Sequence, residues 1–307
     1  MCGISGIVAD GDQQKNIEAM CRMLVHRGPE NTSIYRYENV WLGHNRLRII
    51  DIETGDQPIF NEDGSVGVVF NGEIYNFMEI KADLEEKGHT FKTTSDTEIL
   101  VHLYEEKGIE MFDKLNGIFA FAILDKNRNR IILARDHFGV KPLFYYERGG
   151  KLVFGSEAKA ILTHPDVPRK RNDHATHLLA NLRYVQSEQT LFKDIHHVPP
   201  GSYLVHENGK SKVSRYYEFN PEVQDISFED AKDGIQARLK EAVRRQLISD
   251  VPIGVYLSGG IDSSSLVAMM SELGVDDIRT FTLGFNEPTD EFDSAKMIAD
   301  QFSTNHQ

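Results

Sequence analysis

Cysteine is scarce in this sequence: Cys2 and Cys21 are the only two in 307 residues. That is too few for a disulfide framework or a thiolate metal site. No run approaches the ~20 apolar residues of a membrane-spanning helix. The opening Met1-Cys2-Gly3-Ile4-Ser5-Gly6 lacks the basic stretch that begins a secretion signal, so a cytoplasmic protein is expected. Basic charge is also short, with 34 Lys+Arg against 47 Asp+Glu and a net charge of -13. Such a field excludes a nucleic-acid or anionic-membrane surface and points to small-molecule chemistry. Internal repeats and low-complexity tracts are missing too. What is present is ordinary for a folded protein, with 40% hydrophobic and 26% charged residues, and the length suits two domains.

Residues 2–10 read as a short apolar strand with glycines. Residues 13–25 then place Ile17, Met20, Cys21 and Leu24 at helical spacing, which puts Cys21 on a core face. Strand-like runs at 65–70, 117–124, 130–134, 143–146 and 151–154, with turns at 126–129 and Gly149-Gly150, predict hairpins and antiparallel sheet. Helical patterns occupy 77–87, stopped by Gly88, and 97–107, stopped by Gly108. After the turn Pro199-Pro200-Gly201 and a strand at 202–206, the pattern changes. Helices at 228–247, 264–273 and 293–302 alternate with strands at 251–257 and 278–285, as in a parallel sheet. A boundary within 210–225 fits, drawn here at 210/211 to give domains 2–210 and 211–307. Two clear strands are too few for a covered parallel sheet, so the chain is expected to be a fragment or a truncated product.

Cys2 needs its own explanation. Removal of Met1 would put a thiol and a free α-amine on one residue. An amine titrating near 7.7–8.0 can serve as base to its own side chain, which gives a nucleophile without a histidine partner. The plainer reading makes Cys2 a small apolar residue of a buried first strand.

The motifs that follow favour the nucleophile. With Cys2-Gly3-Ile4-Ser5-Gly6, the segments His26-Arg27-Gly28-Pro29, Gly43-His44-Asn45-Arg46-Leu47, Asn71-Gly72-Glu73-Ile74-Tyr75-Asn76, Ser95-Asp96 and Arg135-Asp136-His137-Phe138-Gly139 resemble the class II, N-terminal-nucleophile glutamine amidotransferases over residues 2–205. The resemblance implies an α+β sandwich of αββα layers with antiparallel sheets. It also implies roles: Cys2 attacks the glutamine amide, Asn71 and the Gly72 N–H stabilise the oxyanion, Arg46 binds the substrate carboxylate, and Glu73 with Asp96 binds its α-amine. The stretch Arg46, Leu47, Arg48, Ile49 and Ile50 would line the pocket. Each site has an alternative. Asn71-Gly72 is a hairpin-turn dipeptide, Ser95-Asp96-Thr97-Glu98 is a capping-box pattern, and Arg46 fits a surface ion pair. Arg27 and Arg135 read as structural, and His44, His196 and His197 lack a metal-ligand spacing.

A second candidate site is Val255-Tyr256-Leu257-Ser258-Gly259-Gly260-Ile261-Asp262-Ser263-Ser264, a strand entering a small-residue turn that opens a helix. Such a turn can cradle phosphate on backbone N–H groups and hydroxyls. It is not a Walker A loop, because Gly260-Ile261 stands where Lys-Ser/Thr should follow. Ser258-Gly259-Gly260-Ile261-Asp262-Ser263 resembles the pyrophosphate loop of the ATP pyrophosphatases, which implies the start of an α/β parallel-sheet ATP-binding domain. ATP and Mg²⁺ are then expected as cofactors, Asp262 as the Mg²⁺ residue, and Tyr256, Leu257 and Leu283 as neighbours of adenosine; strand core is the alternative for these three.

The two halves together resemble the glutamine-hydrolysing asparagine synthetase family. That resemblance implies glutamine, aspartate and ATP as substrates, asparagine, glutamate, AMP and pyrophosphate as products, and a possible homodimer. A later Ser-Gly-Glu-Gly loop of that family is absent, so this chain by itself is expected to support only the glutaminase half. A non-catalytic glutamine-binding or interaction module, or an amidotransferase with another acceptor, are the alternatives.

Overall fold

The computed structural model describes residues 1–185, 188–223, 225–285, 287 and 290–307. In chain order the first elements are β1 (Gly3–Val8), α1 (Gln14–Leu24), β2 (Asn31–Tyr37), β3 (Val40–Arg46), β4 (Ile59–Phe60), β5 (Val66–Ile74), α2 (Phe77–Glu86) and α3 (Ile99–Lys107). Next come β6 (Gly117–Asp125), β7 (Arg130–Arg135), β8 (Phe144–Arg148), β9 (Lys151–Gly155), α4 (Ala158–Ile161), α5 (Asp173–Leu182), β10 (Ile195–His197), β11 (Ser202–Glu207) and β12 (Lys210–Arg215). The last are α6 (Phe228–Gln246), β13 (Gly254–Tyr256), α7 (Ile261–Glu272), β14 (Arg279–Phe281), α8 (Phe292–Gln301) and β15 (Asn305–His306).

The chain divides into two compact units, Met1–Asn220 and Pro221–Gln307. The line at 210/211 cuts off β12, which the structure pairs with β11 along its whole length, Ser202↔Arg215 to Glu207↔Lys210. The ladder therefore keeps residues 210–215 with the first unit.

Two antiparallel sheets build that unit, ordered β10-β8-β9-β1-β3-β2 and β12-β11-β7-β6-β5-β4. Ile4 and Val8 of β1, Val40 and Leu42 of β3, and Val69, Ala120, Ala122 and Leu133 of the second sheet pack into one core between the sheets. On the outer face of the first sheet, Ile7 and Trp41 meet Ile17, Met20, Cys21 and Leu24 of α1, so Cys21 has the expected core position. On the second sheet α3 lies against β5 and packs on α2. The layers are αββα.

The pattern reading passed over β2 and β3. β3 is buried at every position although it ends in His44, Asn45 and Arg46. Burial on both faces removes the polar–apolar alternation that announces a strand. In the second unit, β13, β14 and β15 form a parallel sheet, with Val255 opposite Thr280 and Thr280 opposite His306. Its strands are shorter than 251–257 and 278–285. α7 starts at Ile261 rather than 264, because Gly260 takes the extended cap conformation, φ -71° and ψ 161°. Val243, Met269, Met270 and Ile278 form one small core, and Leu257, Val267, Ala295 and Ala299 another. Among the described residues, no helix is long and apolar enough to cross a membrane.

Leu42 is fully buried between the sheets, so Leu42→Ala should cost about 2–5 kcal/mol. Trp41 is the sole tryptophan and lies in the first unit, so denaturant unfolding followed by its emission reads this directly. A loss below about 1 kcal/mol would contradict close packing at this point.

Candidate active site

Cys2 immediately precedes β1, and β1 is hydrogen-bonded on both edges, to β3 and to β9. Its carbonyl accepts from Arg27 Nε at 3.0 Å, and the same guanidinium pairs with Glu157 at 3.1 Å. Arg27 is thus structural, as its sequence setting suggested. The Cys2 sulfur lies against the Leu47 backbone, with the N–H donating to Sγ at 3.4 Å and the carbonyl 3.6 Å away. Burial pushes the thiol up, while the Leu47 N–H works the other way. Burial lowers the Met1 ammonium, and the charges of Lys141 and Arg27 add to that effect.

The end of β5 supplies the facing wall. Asn71-Gly72 is not a turn: Asn71 pairs with Ala120 and Gly72 with Phe119 inside the β5–β6 ladder. A side chain on Gly72 would strike the Ile118 carbonyl oxygen, so only glycine fits. The Asn71 side chain is 1% exposed, yet neither its Nδ2 nor its Oδ1 has a partner. A buried amide without hydrogen bonds costs about 1–3 kcal/mol. Such a group is retained where a ligand completes it.

Glu73 and Asp96 stand together beside it. Asp96 Oδ2 accepts the Ile74 N–H at 2.9 Å. Burial raises the Glu73 carboxyl, and the Asp96 charge raises it further. Burial also raises Asp96, against hydrogen bonds from Ile74, Ser95 and Thr97. The capping box does not form. α3 begins at Ile99 without a side-chain cap, and Glu98 accepts from the N–H groups of Lys92 and Thr93 at 2.8 and 2.7 Å.

Arg46 is 3% exposed, which removes the surface-pair reading. Its guanidinium meets Asp56 at 2.5 Å and donates to the carbonyls of Ile50 and Asp51. Cys2, Arg46, Leu47, Ile49, Ile50, Asn71, Gly72, Glu73 and Asp96 line one cavity of about 50 Å³, room for a few water molecules. Arg48 is the exception. Its N–H is held by Glu30 at 2.5 Å and its guanidinium lies 3.5 Å from Asp56, outside the wall.

Sequence reasoning missed Met1, Gln57 and Lys141, which also line this cavity. Gln57 accepts from the Phe70 N–H at 2.6 Å and donates to Thr97 at 3.4 Å, tying both walls. Lys141 comes from a loop set by the Arg135-Asp136 motif. Asp136 accepts the N–H groups of Phe119, Phe138, Val140 and Lys141. Arg135 donates to the carbonyls of Gly139, Lys141 and Val198, a structural role. Burial lowers the Lys141 ammonium, and the Glu73 charge opposes that. The signal was the lysine two residues beyond the motif.

The second unit arranges its loop around α7. Gly259 has φ +75°, and a Cβ there would lie 2.5 Å from Ser294 Cβ. Ser258 and Ser263 face each other at 3.1 Å, and the Gly260 N–H donates to Ser258 Oγ at 3.3 Å. α7 has no side-chain cap, and Ser264 Oγ is buried without a partner. Asp262 lies in the first turn of the same helix. Tyr256, Leu257, Ser258 and Leu283 line a neighbouring pocket of about 450 Å³; Gly259, Gly260, Asp262 and Ser263 are not in its wall. Leu257 is 2% exposed and packs in the α7–α8 core, so strand core describes its side chain.

Residues 1–217 match the family model described as a glutamine amidotransferase domain. The chain belongs to the glutamine amidotransferase family. Residues 234–307 of this amidotransferase chain match a second model, asparagine synthase. It is 34% identical to the glutamine-hydrolysing asparagine synthetase 3 of Bacillus subtilis (strain 168), over 100% of this chain and 53% of that protein. Asparagine synthetase 2 of the same organism is 38% identical over 92% of this chain and 40% of its own length. The chain thus spans about half the length of the curated relatives it matches. Among solved structures, the B. subtilis glutamine phosphoribosylpyrophosphate amidotransferase complexed with ADP and GMP aligns with a TM-score of 0.52 at 19% identity, covering 100% of this chain and 65% of that one. That likeness bears out the αββα sandwich of antiparallel sheets.

The raised carboxyls of this amidotransferase domain carry a stability cost. Because the folded value of Glu73 lies above its unfolded one, the native state holds a proton that the unfolded chain has lost, and stability falls as pH rises from about 5 towards 8. Glu73→Gln should flatten that fall. Parallel slopes for wild type and variant in denaturant unfolding across this range would refute the assignment.

Proposed function

We propose that the first unit is a glutaminase, and that its ammonia serves asparagine synthesis in a glutamine-hydrolysing asparagine synthetase. The observation that carries the glutaminase reading is the unpartnered, buried Asn71 amide in the cavity that also holds Cys2. Once Met1 is removed, the freed Cys2 amine takes the thiol proton and the sulfur attacks the glutamine carboxamide carbon. Asn71 Nδ2 and the Gly72 N–H hold the oxyanion. Collapse of the tetrahedral intermediate passes the proton to the leaving nitrogen and releases ammonia, and water then cleaves the thioester to glutamate. Removal of Met1 also takes away a wall residue of the cavity and so enlarges it.

The charges fit the remaining groups of glutamine. Burial and the Asp96 charge raise Glu73, and the substrate's ammonium would offset that repulsion. Arg46 would take the carboxylate by exchanging it for Asp56. The second unit is read as part of an ATP-binding domain. Its Gly259 cradle, uncapped α7 N-terminus and unpartnered Ser264 hydroxyl suit a phosphate group, and Asp262 is the residue that would hold Mg²⁺. ATP with Mg²⁺ would supply adenylation of the aspartate carboxylate. The backbone and hydroxyls here would hold its phosphates, and Tyr256 with Leu283 would border the base. A cytoplasmic setting, which keeps both thiols reduced, goes with this reading.

Glutamate release from glutamine by the Met1-processed chain is the test, with processing checked by mass spectrometry. Cys2→Ala should abolish release. Asn71→Ala should lower kcat about 10²–10³-fold with KM little changed. Release that survives Cys2→Ala, or a folded and processed chain that releases nothing, would refute the proposal.

A further inference from the structure

Away from the amidotransferase cavity, two histidines and several glutamates converge where α3 meets the segments around residues 62 and 89. The facing ligand atoms of Glu62, His89, His102 and Glu105 all lie within 4.8 Å of one another. His89 Nδ1 is 3.1 Å from Glu62, His102 Nδ1 is 3.1 Å from the other oxygen of Glu62, and His102 Nδ1 is 3.5 Å from Glu105. A tetrahedron with bonds of 2.0–2.1 Å has edges of about 3.3 Å. Glu62 meets the two histidines through different oxygens, so the four ligand atoms, within 4.8 Å of one another, would draw in to reach such edges.

Each first ligand is oriented from behind. Glu62 accepts the Thr90 N–H at 2.9 Å, and Glu105 accepts from Asn61 Nδ2 at 2.8 Å. Both imidazoles turn Nδ1 inward and Nε2 towards an outer carboxylate, Glu106 at 3.4 Å for His89 and Glu98 at 3.6 Å for His102. A carboxylate behind the second ring nitrogen is the usual support of a metal-bound histidine.

His102 is the more enclosed of the two rings. Its side chain is fully buried, and three carboxylates lie within 3.6 Å of its ring nitrogens, outside good hydrogen-bond angles. Four glutamates also surround two imidazoles, with Lys87 reaching only Glu106, at 3.8 Å. Two inward imidazole nitrogens amid surplus negative charge are what a divalent cation completes, and mixed imidazole–carboxylate donors suit zinc.

We infer that Glu62, His89, His102 and Glu105 form a structural zinc site that fastens α3 to the loops at 62 and 89. Glu98, behind His102, also grips the N–H groups of Lys92 and Thr93. The site therefore braces the segment that leads to Asp96.

The test uses the full chain with Cys2→Ala, which removes the amine–thiol pair as a competing chelator. After chelator stripping it is titrated with Co²⁺ alone, and the visible bands of tetrahedral Co²⁺ are followed before Zn²⁺ is added. The expected result is one equivalent of bound Co²⁺, displaced by Zn²⁺, with Zn²⁺ raising the Tm. His89→Ala and Glu62→Gln should each weaken binding at least about tenfold and abolish the Tm rise, with circular dichroism unchanged. His102 is left alone because its buried ring could be needed for folding. Absence of tetrahedral bands at millimolar Co²⁺, or bands and Tm rise unaltered in both folded variants, would overturn the site.

Discussion

The arrangement of the first unit depends on the double confinement of β1. Its edges are hydrogen-bonded to β3 and β9, and its faces are covered by the second sheet and by α1. A strand held on four sides cannot shift register without moving Ile4 and Val8 out of one core and Ile7 out of another. Cys2 is therefore fixed one residue ahead of a rigid element, and Arg27 clamps its carbonyl. β5 stacks across β1 and β3, which brings Asn71 to the same cavity.

The electrostatics follow from that enclosure. Burial raises the thiol and both carboxyls, and it lowers the Lys141 ammonium and the terminal amine. Every group is moved towards its neutral form, as desolvation requires. In the proposed reaction this favours a neutral amine that can accept a proton. It also leaves an acidic corner that a zwitterionic substrate relieves, since glutamine brings one ammonium to the Glu73–Asp96 pair and one carboxylate to Arg46.

Much of the site was legible because its residues sit in short motifs. Asn71-Gly72-Glu73 is contiguous, so locating one locates all three, and Asp96 and Arg46 belong to equally compact signatures. Arg48 shows the limit of reading a contiguous stretch, because Glu30 and Asp56 hold it outside the wall. Gln57 and Lys141 were not legible. Gln57 acts through Phe70 and Thr97, partners fixed only when the segment before β4, the strand β5 and the turn before α3 meet. β3 escaped for a related reason: a strand buried on both faces loses its alternation, and polar residues at its end obscure what remains.

The sequence by itself determined the antiparallel-then-parallel order of the chain, the core face of α1 that holds Cys21, and the chemical types in the amidotransferase cavity. Each is a local property, carried by periodicity or by neighbours along the chain. Only the tertiary structure decided that Asn71-Gly72 lies in a ladder rather than a turn, and that the Asn71 amide is buried without a partner. It also decided that Glu62, His89 and His102, spread over three segments, face one another. Burial and convergence are properties of surfaces brought together from distant parts of the chain, and spacing along the chain does not encode them.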